Sequence, residues 1–269
     1  MENIIELKNV NFSYNEKKIF ENFNLKIKKG TYTTIIGNNG SGKSTLIRLL
    51  LGLIVCEGEI LINNKTLNTK NLYNIIKKIG VVFENPDDQF VAETVKDDIA
   101  FSLENMNINK KEIEKRIYKI AKLLDITDIL DREPHSLSGG QKQIVSLASA
   151  LVIDPDILIL DEAMTMIDLD TRNKIYKILE QVNKINGITI INVTHDMDET
   201  LYGDNLIIID NGNIVLNGPK EFVFLEEKTF NKLDLKLPFL IELGTKLQYY
   251  GLIDHLIFDM EELVNELWK

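Results

Sequence analysis

Apolar and polar residues alternate along IIELKNVNFSY (4–14) and FNLKI (23–27), the period-two pattern of strands with one face in a core. TYTTIIG (31–37) is instead a short β-branched run ending on glycine, as a strand buried on both faces does. An N-terminal β region therefore feeds a first core strand. Gly42 to Leu51 follows as a helix, and GEILINN and IGVVF as two further strands. From about residue 91 to 151 the period changes. Asp97 to Leu103, Lys111 to Leu124 and Gln141 to Leu151 carry apolar residues at helical spacing, a helical insertion without strands. Strands return at ILIL (157–160), TIINV (189–193) and LIIID (206–210), with a helix over Thr171 to Lys184 between the first two. That rhythm predicts an α/β fold with a parallel sheet. Beyond Pro219 the chain is helical again. Leu252, Ile253, Leu256, Ile257, Met260, Leu263, Val264 and Leu267 trace one continuous stripe with acids opposite, a separate appendage that packs on its own core or on a partner.

Composition narrows the picture modestly. The 269 residues carry 31 Lys plus Arg against 41 Asp plus Glu, a formal charge of −10, the wrong sign for a chain that coats itself with nucleic acid. A single cysteine, Cys56, leaves no internal disulfide and suits a reducing compartment. The N-terminus MENIIELKNV has neither a basic nor an apolar leader region, and no apolar run approaches the roughly 20 residues of a spanning helix. The expectation is a soluble chain, or one attached to a membrane through a partner.

Chemistry enters at GNNGSGKST, which matches the P-loop pattern in full between a β-branched strand and a helix. Gly37, Asn38, Asn39, Gly40, Ser41, Gly42, Lys43, Ser44 and Thr45 are thus candidates to cradle a nucleotide. The glycines let the backbone N–H groups turn inward, Lys43 reaches the terminal phosphates, and the Ser44 hydroxyl can bind Mg²⁺. ILILDE places Asp161 and Glu162 at a strand's carboxyl end, where open α/β sheets meet ligand. Asp161 can hold a water on Mg²⁺ and Glu162 can orient and deprotonate an attacking water. His195 follows another strand and should emerge on the same edge, as a γ-phosphate contact or as an ordinary surface histidine. Tyr14 could stack on a base or serve the core. LSGGQ (137–141) is a second glycine turn entering a helix, on the far insertion. Its own chain's P-loop is out of easy reach, which points it to another copy's nucleotide.

In this order, P-loop, LSGGQ, acidic strand end and strand-end histidine resemble the ATP-binding cassette superfamily over about residues 4–222. The resemblance implies a RecA-like P-loop NTPase core with an N-terminal antiparallel β subdomain, residues 1–221 in all, with a helical signature subdomain at about 91–151. Residues 222–269 would form a C-terminal helical dimerisation appendage. It further implies ATP and Mg²⁺ as ligands and a head-to-tail dimer. In that dimer Ser138, Gly139, Gly140 and Gln141 of one subunit close the nucleotide of the other, Asp168 lies at the subunit interface, and Tyr14 and His195 touch nucleotide. VFENPDDQFVAETVKDDIAFSLEN and LDLKLPFLIELGTKLQYYG are similar to the ATPase component of energy-coupling factor transporters, importers of vitamins or of cobalt and nickel. This implies a second ATPase subunit, identical or related, a transmembrane coupling protein and a substrate-binding membrane protein, with the chain peripheral on the cytoplasmic side. A soluble cassette ATPase of DNA repair or translation is the alternative; such proteins usually carry a long coiled coil or tandem cassettes, and this chain has neither. Three positions depart from the usual pattern: Glu84 for the expected glutamine, here a candidate Mg²⁺ ligand, Ile144 after GGQ, and Met166 before Asp168.

Overall fold

The computed structural model describes residues 2–268. β1 (Asn3–Tyr14) and β2 (Lys17–Lys28) pair as an antiparallel hairpin, their alternation putting Leu7, Val10, Leu25 and Ile27 inside and Lys26 and Lys28 outside. The central sheet begins with β3 (Tyr32–Ile36), all of whose residues are buried. β4 (Glu57–Ile62) and β5 (Lys65–Thr66) complete a four-stranded antiparallel sheet ordered β2-β1-β4-β5. The central sheet continues with β6 (Ile79–Val82), β7 (Ile157–Asp161), β8 (Thr189–Thr194), β9 (Asn205–Asp210) and β10 (Asn213–Pro219). Its order is β10-β9-β3-β8-β7-β6, parallel except for the β9–β10 hairpin.

Alternate residues of β7 feed two cores. Ile157 and Ile159 join the antiparallel sheet, α1 (Lys43–Leu50) and Ile75 of α2 (Leu72–Ile76). Leu158 and Leu160 join the helical side. There α3 (Val95–Asn105), α4 (Lys110–Leu123) and α5 (Gly139–Leu151) form the insertion, and α6 (Leu169–Asn186) returns along the sheet. Each start is set locally: Thr94, Asn109 and Ser138 accept N-cap hydrogen bonds from Asp97, Glu112 and Gln141 amides.

The C-terminal part contains α7 (Lys220–Val223), α8 (Glu227–Lys232), α9 (Phe239–Tyr249) and α10 (Met260–Leu267). Phe224, Phe230 and Ile241 bury themselves against Ile36, Leu206 and Ile208 of the central sheet. The continuous stripe expected from Leu252 to Leu267 is broken. Gly251 turns left-handed (φ 69°) after α9, and α10 starts afresh at the Asp259 cap, whose carboxylate accepts from the Glu262 amide at 3.0 Å. Ile253, Ile257 and Leu263 are buried with Leu240, while Leu252 stays exposed. Ile253, Ile257 and Leu263 thus pack on the chain itself, Leu256 is half-buried, and Leu252, Met260, Val264 and Leu267 stay exposed; apolar period alone could not reveal the interruption.

Candidate active site

Sheet register decides which side chains meet. β3 pairs with β8 at Ile36 and Thr194, and β7 with β8 at Asp161 and Val193, so Gly37, Glu162 and His195 leave the sheet together at its carboxyl edge. β6 pairs with β7 at Val82 and Leu160, which sets Glu84 just beyond the same edge. This is the edge where open α/β sheets receive ligands.

The P-loop has room for glycine alone at critical points. A Cβ on Gly37 would lie 2.0 Å from the Ile209 carbonyl oxygen, and Gly42 stands at φ 110° as α1 begins. Lys43 is buried, and its Nζ donates to the Gly37 carbonyl at 2.7 Å and to Asn38 at 3.4 Å, folded inside its own loop. Burial lowers its pKa, opposed by the nearby Glu162 and Asp161 carboxylates. Ser44 is exposed at the loop's mouth, Thr45 is buried, and the buried Ser41 hydroxyl has no partner. Asn38, Asn39 and Gly40 line the exposed side.

Glu162 holds the backbone at φ 50°; among the described left-handed residues other than glycine it is the one that is neither Asn nor Asp. The sheet imposes this, because the Glu162 amide donates to the Val193 carbonyl at 2.8 Å. Its Oε2 lies 2.8 Å from His195 Nδ1. An ionised carboxylate only accepts, so a hydrogen bond here calls for the imidazole proton on Nδ1. Burial, then Glu162 and Glu84, push the Asp161 carboxyl up to about 6 against the pull of Lys43 and Arg48. Glu84 itself is exposed. Ser44, Asp161 and Glu84 thus supply hard oxygens without an all-protein cage: no group of three or more His, Cys, Asp or Glu forms one among the described residues. That donor set fits Mg²⁺, which keeps several waters and takes the rest of its shell from phosphate. Tyr14 is part-exposed, edge-on to Phe12, with its hydroxyl accepting from Arg48 of α1 at 3.2 Å.

The signature turn is a capping box. Ser138 Oγ accepts from the Gln141 amide at 3.3 Å, and Gln141 Oε1 from the Ser138 amide at 3.1 Å. A Cβ on Gly139 would come 3.2 Å from Met166 Sδ, and one on Gly140 3.2 Å from the Met166 carbonyl, so Met166 packs on this turn. Ile144 is part-buried in the helical core. Asp168 is the N-cap of α6, accepting from the Thr171 amide at 3.0 Å; Asp170 lies inside the helix.

Several contacts had no local sequence signal. Gln143 Nε2 donates to the Phe83 carbonyl at 2.9 Å, and Lys142 pairs with Asp87 at 2.6 Å, tying the signature helix to the Glu84 segment. Gln89 folds back onto the end of β6 through Phe83 N and Val81 O, both at 3.2 Å. Asn38 Nδ2 donates to the Leu233 carbonyl at 3.0 Å, bringing the C-terminal part to the P-loop. Gly37, Asn38 and Asn39 of the P-loop, with His195 and Met197, frame a cavity of about 360 Å³ that Asp234, Leu235 and Lys236 also line.

Residues 20–165 match the family described as ABC transporter. The energy-coupling factor transporter ATP-binding protein EcfA1 of Oenococcus oeni is 42% identical over 99% of this chain and 98% of its own length. The protein of the same name from Streptococcus mutans is 41% identical over 98% and 96%. Among solved structures, cbiO1 from Clostridium perfringens, described as part of the ABC transporter complex cbiONQ, aligns with TM-score 0.78 and 35% identity over 90% of this chain and 99% of that one. The ATP-binding cassette MJ0796 bound to ADP and Pi aligns with TM-score 0.74 and 30% identity over 80% and 98%. The chain therefore belongs to the ABC transporter ATPases, among the ATP-binding proteins of energy-coupling factor transporters.

Proposed function

We propose that this ATPase hydrolyses Mg-ATP at a composite site. Its own P-loop, Asp161, Glu162 and His195 form one wall, and the signature turn of a second ATPase subunit closes the other. The observation that carries this reading is the 2.8 Å approach of Glu162 and His195 on the sheet edge that also bears the P-loop. Lys43 and the amides of residues 37–45 bind the phosphates, with Lys43 exchanging its loop carbonyls for phosphate oxygens. Glu162 accepts the proton of the attacking water, and His195 holds that carboxylate and contacts the γ-phosphate. Ser44, Asp161 and Glu84 would hold Mg²⁺, which when bound neutralises charge developing on the phosphates. Tyr14 stacks on the base. In the partner site Ser138, Gly139, Gly140 and Gln141 meet the γ-phosphate, and Asp168 lies at the interface.

Closure and reopening of the two subunits drive an importer whose membrane partners are a coupling protein and a substrate-binding protein, with this chain on the cytoplasmic face. The cargo, a vitamin or cobalt or nickel, is selected by the membrane protein. No described helix is long and apolar enough to cross a bilayer, and in this reading attachment to the membrane runs through those partners. The relatives' names favour this reading over a soluble repair or translation ATPase.

Glu162→Gln tests the site. The amide still orients water but cannot take its proton, so turnover falls about 10²- to 10⁴-fold while ATP binding persists. Near-normal steady-state hydrolysis by the variant complex would contradict the assignment.

A further inference from the structure

LDLKLP (233–238) alternates: Leu233, Leu235 and Leu237 are half-buried and Pro238 buried, while Asp234 and Lys236 are exposed. The three leucines pack against the cluster that contains Ile36, the residue immediately before the P-loop. Asp234 adopts φ 54° as the chain leaves α8, and the Leu235 amide donates back to the Phe230 carbonyl at 3.0 Å, fixing the turn. Asn38 of the P-loop clasps the same segment through the Leu233 carbonyl at 3.0 Å. Lys236 is thereby set in the wall of the 360 Å³ cavity whose other walls include Gly37, Asn38, Asn39 and His195. An exposed ammonium on a flexible four-carbon stem, beside a loop built to receive phosphate, adds a cation where negative charge will concentrate. Lys236 also borders a second cavity of about 610 Å³ that holds Glu227 and Glu242, the competing destination for its charge.

We propose that Lys236 binds the terminal phosphate of the nucleotide on its own chain's P-loop, so that the C-terminal appendage distinguishes ATP from ADP. The proposal rests on the nucleotide-site reading above and extends it to a residue outside the cassette motifs. A terminal-phosphate contact stabilises the triphosphate complex and leaves the diphosphate complex nearly unchanged. That difference is what a merely structural lysine would not produce.

The test is equilibrium binding of a non-hydrolysable ATP analogue and of ADP, each with Mg²⁺, to the full-length chain assembled with its ATPase partner. Lys236→Met should weaken analogue binding about tenfold and ADP binding less than about twofold, the loss of one charge-assisted hydrogen bond. Lys236→Arg should restore most of the analogue affinity, since the cation is retained. Unchanged analogue affinity in Lys236→Met would overturn the proposal. So would equal losses for both nucleotides, which would assign the lysine to the acidic second cavity or to folding. A wild-type chain that binds neither nucleotide would remove the nucleotide-site reading as well, whereas normal wild-type binding with an indifferent Lys236→Met removes this inference alone.

Discussion

Glu84 is the residue whose chemistry departs most from its setting, a carboxylate exposed beside the already crowded pair of Asp161 and Glu162. A direct short contact to a divalent cation outweighs repulsion from acids held farther off. Glu84→Gln should therefore raise the Mg²⁺ concentration for half-maximal ATPase activity and leave Mg-free ATP affinity equal or better. Superimposable Mg²⁺ titrations of variant and wild type would remove Glu84 from the metal's shell. Glu199 offers a second residue-scale test, on stability. It is buried and accepts from Asn192 Nδ2 at 3.0 Å, and burial raises its pKa above the ordinary carboxylate value. The folded state thus favours the protonated form. That contribution is complete at acid pH and is lost as pH rises through the raised pKa. Glu199→Gln keeps an acceptor without the charge, so it should unfold at higher denaturant than wild type at pH 7, with the gap narrowing as pH falls. A gap that widens on acidification would mean the buried carboxylate is stabilised as an anion.

At the scale of elements, the signature turn caps a helix and, in the composite site proposed above, also faces the partner's nucleotide. Ser138 caps α5, and removing such a cap costs about 1 kcal/mol. Ser138→Ala should therefore lower both stability and activity. Ser138→Asp retains the cap, keeps the melting temperature near wild type, and sets a negative charge where the proposed composite site brings the partner's γ-phosphate; hydrolysis should fall sharply. An Asp variant as active as wild type would leave Ser138 with its capping role alone. Element ends of this kind were legible in the sequence because each signal is local. Glycines at Gly37 and Gly42 answer steric demands of the loop itself, and ILILD and TIINV are apolar runs bounded by polar residues. The Thr94 and Asn109 caps open α3 and α4 within two residues of where the apolar period places them. Contacts such as Asn38 to Leu233, 195 residues apart, carry no local signature, because neither residue type is unusual where it stands. The break over 252–259 was hidden for a different reason: buried residues at 253 and 257 continue a helical count although the chain there is not helical.

For the whole molecule, the C-terminal part is bound into the cassette rather than merely attached to it. Phe224, Phe230 and Ile241 cover Ile36 and Ile208 directly beneath the P-loop strand. Truncation after Pro219 would expose that core, so it should destabilise the chain itself in addition to weakening any subunit association. Phe224→Ala isolates the effect and should cost about 3–5 kcal/mol in chemical denaturation; a loss under about 1 kcal/mol would show that the appendage docks loosely. Tyr249, Tyr250 and Leu252 lie outside this seal as exposed apolar surface.

In the composite site proposed above each nucleotide needs two ATPase chains, a requirement that complementation by mixing measures. A Ser138→Arg chain and a Lys43→Ala chain, each inactive alone, are combined in one dimer, or placed one in each partner where the second ATPase is a related chain. If the signature turn acts across the interface, both lesions fall in the same composite site and the other site is intact. The mixed dimer should then occlude about one Mg-ATP, half the wild-type complement, because closure sequesters only the complete site. If signature and P-loop serve the same chain, both sites are broken, and a mixed dimer that occludes no nucleotide would contradict the account.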